Sequence, residues 1–254
     1  MTIFKIMFDI ARLSPLGIYR VFFGSKLNYF KLNEVIEQLS AGKTLIRWGD
    51  GETALARNKD IWFQSSNVFI SKRLNDFWLY DKEDVVFSLP KSPIERTIFK
   101  YLFQRHDFFK EFSSRVYFSK KYFRIKHRIF ADSSIWYDNH EILKPALIEL
   151  SNNKKSLLVA SDVDIFNNLK TYVLDVEFMQ IPKKDIFSEK DNLVAKLENW
   201  ISTNQGADRP LVLLAAGPIG KLIAYEMSKN AQFIDIGHGF ALELGKEIII
   251  VERD

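Results

Sequence analysis

From residue 156 to residue 236 the chain alternates short apolar runs with amphipathic stretches, and no other feature of the sequence restricts its fold as much. Residues 157–160, 176–181, 211–216 and 233–236 read as strands, with helices at 164–172, 191–203 and 218–229 between them. In the second of these helices Leu193, Val194, Leu197, Trp200 and Ile201 share one face. Strands written as unbroken apolar runs are buried on both sides, as in a parallel sheet covered by helices. Alternation with right-handed crossovers then predicts an α/β, doubly wound fold with a mostly parallel sheet and helices on both faces. Ligands in such folds collect beyond the carboxyl ends of the strands, so the loops that follow them carry the functional question.

The same pattern extends upstream. A helix is expected over residues 32–41, with Leu32, Val35, Ile36 and Leu39 on one face and Gly42 placed to end it. Residues 44–48 read as a strand running straight into Gly49-Asp50-Gly51-Glu52, and 84–89 as another strand, stopped by Pro90 and Pro93. The segment after it, to about Phe112, reads as helical and aromatic. Residues 1–30 form an expected amphipathic helical arm before a single domain at 31–254. Asp9, Arg12 and Arg20 interrupt its apolar residues, so it falls short of the ~20 apolar residues that span a bilayer. Asp9 also stands where a secretory signal would be apolar. Such an arm packs on the domain, on a partner or on a membrane surface, and simple packing is the plainest of the three.

The 254 residues contain no Cys, which removes disulfides, thiolate metal sites and cysteine nucleophiles. The net charge of +4 is unevenly placed. Between Arg96 and Arg128 lie Lys100, Arg105, Lys110, Arg115, Lys120, Lys121, Arg124 and Lys126, against Asp107 and Glu111. This region suits phosphates, an anionic membrane surface or an acidic polymer, and suits equally a solvated helix face with its aromatics turned inward. No nucleic-acid-binding motif accompanies the charge, so nucleic acid is not an expected partner.

Asp50 and Glu52 flank Gly51 and follow Gly49. Read as a loop, this spacing lets two carboxylates face one ion, with Gly51 giving the backbone room to bend. Carboxylate oxygens suit Mg²⁺ or Mn²⁺, which take few protein ligands and complete their shell with water and substrate phosphates. Such an ion would act as Lewis acid and template for a departing nucleoside diphosphate. Arg47 would add a bidentate phosphate contact or orient a carboxylate. Asp-Gly is also ordinary turn chemistry, and the short motif alone leaves both readings open.

The longer string Arg47-Trp48-Gly49-Asp50-Gly51-Glu52 resembles the Arg-aromatic-Gly-Asp-Gly-Glu signature of GT-D-type glycosyltransferases, bacterial enzymes that extend glycans on surface glycoproteins and polysaccharides. The apolar run 211–216 with Gly217-Pro218, followed by a helix through Ala224-Tyr225-Glu226, is similar to that family's late strand–Gly-Pro–helix unit. Asp235-Ile236-Gly237-His238 resembles its closing Asp-Ile-Gly-His element. The likeness runs from about residue 31 to 244. It departs at Thr53, where the family often has an aromatic or aliphatic residue, and around 96–137. It implies a Rossmann-like fold, a UDP-sugar donor, Mn²⁺ or Mg²⁺ held by Asp50 and Glu52, and transfer to a hydroxyl of a glycan acceptor. It also implies work on the cytoplasmic side, in cell-surface polysaccharide or glycoprotein synthesis. The arm and the basic region 96–128 would be the parts that touch the inner face of the membrane.

Other strand ends supply further candidates. Gly217-Pro218 opens a helix whose free N–H groups would meet phosphate, or is only a tight connection. Asp162 would touch the donor's ribose or base, while Asp164 or Ser161 would cap the next helix. His238, between two glycines, would bind metal or phosphate or take a proton, or else it and Asp235 brace each other. The expected catalytic residues are therefore Asp50, Glu52 and His238, and the expected donor contacts Arg47, Gly49, Gly51, Asp162, Gly217, Pro218 and Asp235. Two other classes stay open. One is a nucleotide-binding or scaffold protein without turnover. The other is a metal-dependent phosphoester hydrolase, which would usually bring more His and Asp ligands than the four His here.

Overall fold

The computed structural model describes residues 11, 13–91, 94, 108–133, 140–173, 175–206 and 208–237. Among the described residues eight strands form one sheet: β1 (Asn28–Tyr29), β2 (Thr44–Arg47), β3 (Val85–Leu89), β4 (Ile129–Asp132), β5 (Ser156–Ala160), β6 (Val176–Gln180), β7 (Leu211–Ala215) and β8 (Gln232–Asp235). Their order is β1-β4-β3-β2-β8-β7-β5-β6, and every pairing is parallel. The chain thus leaves the middle of the sheet from β2 to one edge, crosses to the other half, and returns through β7 to lay β8 beside β2. Ligand crevices in open α/β sheets form at such reversals of strand order.

Nine α-helices accompany the sheet among the described residues: α1 (Pro15–Phe23), α2 (Leu32–Ser40), α3 (Asp50–Ala56), α4 (Val68–Asp76), α5 (Phe108–Ile125), α6 (His140–Asn152), α7 (Val163–Lys170), α8 (Lys190–Thr203) and α9 (Gly217–Met227). Buried side chains of α3, α4, α5, α8 and α9 pack on one face of the sheet. Those of α2, α6 and α7 pack on the other. All five residues of β5 and four of the five in β7 are buried, because helices cover both faces there. The α/β architecture expected from the alternation is the one observed, with the sheet wholly parallel in these pairings. The short strands β1 and β4 and the helices α4 and α6 carry too little periodicity to be read from sequence; α6 even contains Pro145.

Helix α1 opens on Ser14, whose Oγ accepts the Gly17 N–H at 3.2 Å. It lies against α5, where Arg20 stacks over the Tyr122 ring at 3.6 Å and Arg115 Nη1 donates to the Val21 carbonyl at 3.2 Å. Within α5, Tyr117 and Phe118 face inward. Lys120 and Arg124 face solvent, as does Lys126 just beyond the helix. Phe123 of the same helix is also exposed and Arg115 is buried, so α5 does not divide into a charged outer face and an aromatic inner one. Residues 1–10 of the expected arm and 95–107 of the basic region lie outside the described residues. No helix among the described residues is long and apolar enough to cross a membrane.

Candidate functional site

The expected loop after β2 is the first turn of a helix. Gly49 is extended, and α3 begins at Asp50. Asp50 and Glu52 therefore stand at its first and third positions, about 200° apart around the helix axis. Asp50 is exposed, and its Oδ1 accepts the Gly51 N–H at 2.9 Å. Glu52 is only 4% exposed and turns back so that Oε2 accepts the Gly49 N–H at 2.7 Å, one half of a capping box. Helical geometry sends one carboxylate outward and one inward, so the two do not converge on one point in this structure. Both still complement the positive end of α3.

Trp48 anchors this turn. It is fully buried among Phe77, Trp78, Tyr117 and Phe118, and its Nε1 donates to Thr53 Oγ1 at 3.0 Å. Thr53 in turn donates to the Gly49 carbonyl at 3.1 Å. A hydroxyl at this position satisfies an indole N–H that would otherwise be buried without a partner.

Lys221, on the second turn of α9, lies behind Glu52. Its ammonium is ion-paired with Glu52 Oε1 and lies 3.5 Å from Asp235 Oδ2. Asp235, at the carboxyl end of β8, is 4% exposed. Its Oδ2 accepts the Arg47 N–H at 3.3 Å, and its Oδ1 accepts the Gly237 N–H at 3.1 Å. Arg47 Nη1 donates to the Ile236 carbonyl at 3.1 Å. The guanidinium lies so close over Gly237, at φ 52°, that a Cβ there would collide with it. Two cations and two carboxylates from β2, α3, α9 and β8 thus meet at the middle of the carboxyl edge. Burial pulls the Lys221 ammonium down, but Asp235 and Glu52 outweigh burial and the opposing charge of Arg47, and its pKa is raised. Lys221 is held as a cation.

After α3 the chain returns to this edge in a turn closed by Ile61 and Gln64. Ile61 Cδ1 lies 3.5 Å from where a Cβ on Gly51 would stand. The Phe63 ring comes within 2.9 Å of the corresponding point on Gly217, which takes φ 58°. The segment after β6 holds the turn from the far side: the Asp185 N–H donates to the Phe63 carbonyl and Asp185 Oδ1 accepts the Ser65 N–H, both at 2.8 Å. The acidic helix start and the Gly217-Pro218 helix start are therefore bridged by one turn, next to the charged cluster.

The model of the family described as "Glycosyltransferase GT-D fold" matches residues 45–241, a span that takes in Arg47, Asp50, Glu52, Lys221 and Asp235. This chain belongs to the GT-D family. Solved structures agree on the fold. A glycosyltransferase from Streptococcus sanguinis carrying the domain of unknown function 1792 shares 19% identity over 87% of this chain and 86% of its own, with a TM-score of 0.65. A structure of the same domain, described as having a distinct glycosyltransferase fold, shares 20% identity over 94% and 86%, with a TM-score of 0.67. A selenomethionine form of the domain shares 19% over 95% and 86%, with a TM-score of 0.65. No curated protein matches this sequence.

Within the GT-D domain, the other sequence candidates separate. Gly217 and Pro218 begin α9 beside the cluster, as read from the sequence. Asp162 does not join them in any described contact: its Oδ1 accepts the Asp164 N–H at 2.9 Å and caps α7. The cap thus falls on Asp162 rather than on Asp164 or Ser161, because the helix starts one residue earlier than its periodicity indicates. His238 lies outside the described residues. Sequence reasoning passed over Lys221, although one signal marks it. It is a single cation in the body of a helix whose Ile219, Leu222, Ile223 and Ala224 are all buried, and buried lysines occur only with partners.

Proposed function

We propose that this GT-D protein is a glycosyltransferase that moves a sugar from a nucleoside diphosphate, UDP by preference, to a hydroxyl of a glycan acceptor in cell-surface polysaccharide or glycoprotein synthesis. The observation that carries this reading is the charged cluster of Arg47, Glu52, Lys221 and Asp235 at the sheet's central carboxyl edge, inside the matched GT-D span. The start of α9 at Gly217-Pro218 offers backbone N–H groups and a positive dipole end to the diphosphate.

The donor set at this edge fits Mg²⁺ or Mn²⁺ in one mode. Among the described residues no group of three or more His, Cys, Asp or Glu side chains forms a metal cage. Glu52 has one oxygen on the Gly49 N–H and the other on Lys221. Asp50 is the exposed carboxylate. It would hold the ion together with water and donor phosphates, as these hard cations are commonly held. Bound there, the ion would neutralise the departing diphosphate. The protein's own residues do the rest. Glu52 and Lys221 hold the start of α3 against β8, and Arg47 ties β2 to the same place. If the anomeric centre inverts, the acceptor proton needs a base within hydrogen-bonding reach, for which the sequence offers a carboxylate or His238.

The test is release of UDP from a panel of UDP-sugars, with Mn²⁺, with EDTA and with Asp50→Asn. We expect release to need the metal and to fall roughly a hundredfold in the variant, the scale for losing one stabiliser of developing charge. Release indifferent to EDTA and to the substitution would remove the metal from the reading. Absence of binding to any nucleoside diphosphate sugar would remove the enzyme class.

A further inference from the structure

The turn that bridges the two helix starts carries Trp62, which is 60% exposed. An isolated exposed apolar side chain on a soluble protein needs no explanation. Trp62 differs because its backbone is fixed from several directions. Ile61 and Gln64 exchange backbone hydrogen bonds of 3.0 and 3.2 Å across it. Phe63 and Ser65 are pinned to Asp185, and the Phe187 N–H donates to Gln64 Oε1 at 3.3 Å. The indole meets the Phe63 ring nearly edge-on, with centroids 5.0 Å apart and planes at 78°. The backbone that carries the ring is therefore held from several sides, and the ring itself packs on Phe63.

Its position adds the second half of the argument. Ile61 sits beside Gly51 in the acidic helix start, and Phe63 sits against Gly217 at the start of α9. The residue between them stands at the rim where the proposed diphosphate and cation contacts meet. The next exposed large side chains along the chain, Val68 at 76% and Phe69 at 49%, are also apolar. A nucleobase needs a flat apolar surface first, and pre-oriented aromatic rings supply it at low entropic cost.

We propose that Trp62 is the stacking platform for the nucleobase of the nucleotide donor. This rests on the donor reading above and assigns the base end of that site. No bond is made or broken; the indole face covers the base while the diphosphate meets Asp50 and the start of α9.

The test titrates the full-length protein calorimetrically with two probes, UDP and inorganic pyrophosphate, in Mn²⁺ buffer. Trp62→Ala should weaken UDP binding roughly 5- to 150-fold, the range for losing one base–aromatic stack, and leave pyrophosphate affinity within twofold. Trp62→Phe, which keeps a flat ring, should recover most of the UDP affinity. Thermal melts should place both variants with the parent, since the side chain is exposed. UDP affinity in Trp62→Ala within twofold of the parent overturns the proposal. Equal losses for UDP and pyrophosphate overturn it too, by showing that the turn acts on the phosphate contacts. A parent protein that binds pyrophosphate but not UDP leaves no base to stack and overturns it again. A parent that binds neither probe overturns the donor reading itself.

Discussion

The carboxyl ends of β2 and β5 make an instructive pair. Each strand is buried and parallel, and each runs within three residues into a helix start that carries aspartate. At β5 the bond made by Asp162 reaches two residues along its own chain, to Asp164. At β2 the bonds reach 188 residues to Asp235, and from Glu52 169 residues to Lys221. The difference arises from sheet order. β2 lies beside β8, the last described strand, so its end meets α9 and the Asp235 carboxylate. β5 lies between β6 and β7, and its acid is used to start the next helix. A strand end in an open sheet is thus a place for a site, and the neighbours brought there by topology decide whether one forms.

The strongest way to break this contrast is Lys221→Met. It leaves Glu52 and Asp235 buried without their cation, and removing one partner of a buried pair costs about 3–5 kcal/mol. Urea unfolding should show that loss, and adding Glu52→Gln should recover part of it. A loss below about 1 kcal/mol would put the β2 end on the same footing as the β5 end. The linkage has a definite sign. Because the Lys221 pKa is raised from its ordinary 10.5, its contribution is complete below pH 10.5 and is lost as pH rises through the folded value.

Gly237→Ala should cost less. Its positive φ strains any residue with a Cβ, and the overlying Arg47 guanidinium would have to shift from its bond to the Ile236 carbonyl; strain of this kind amounts to roughly 1–3 kcal/mol. A melting temperature equal to the parent's would mean that Arg47 can move aside without consequence. The smallest effect belongs to the β5 end. Asp162→Ala should cost about 1 kcal/mol as a lost helix cap, with UDP affinity unchanged and Asp162→Asn close to neutral. A selective drop in UDP affinity would bring Asp162 into the donor site and sharpen the comparison in the opposite direction.

The parts of the fold legible beforehand were those with strong periodicity. β5 and β7 read as apolar runs, and α8 reads with Leu193, Val194, Leu197, Trp200 and Ile201 on one face, all buried except the half-buried Val194. The start of α3 reads as a loop because Gly-Asp-Gly is turn chemistry in isolation. What makes it helical is the return of Glu52 to the Gly49 N–H, together with the burial of Trp48 and Leu55. The Thr53 departure from the family pattern has its reason in the tertiary structure, where its hydroxyl accepts the Trp48 indole N–H. Trp62 gave no signal at all in one dimension, since its turn is defined by contacts with Gly217 and Asp185.

By itself the sequence determined the α/β class, the order of strands and helices from residue 156 onward, and a short list of acids and glycines at strand ends. Those are local properties, set by side-chain period and by turn and capping preferences over a few residues. Only the tertiary structure decided which acid faces outward and which is locked inside, that Lys221 supplies the inner cation, and that Asp162 serves its own helix. Electrostatic partnership depends on distance in space. In a sheet whose strands cross over, neighbours in space stand far apart along the chain.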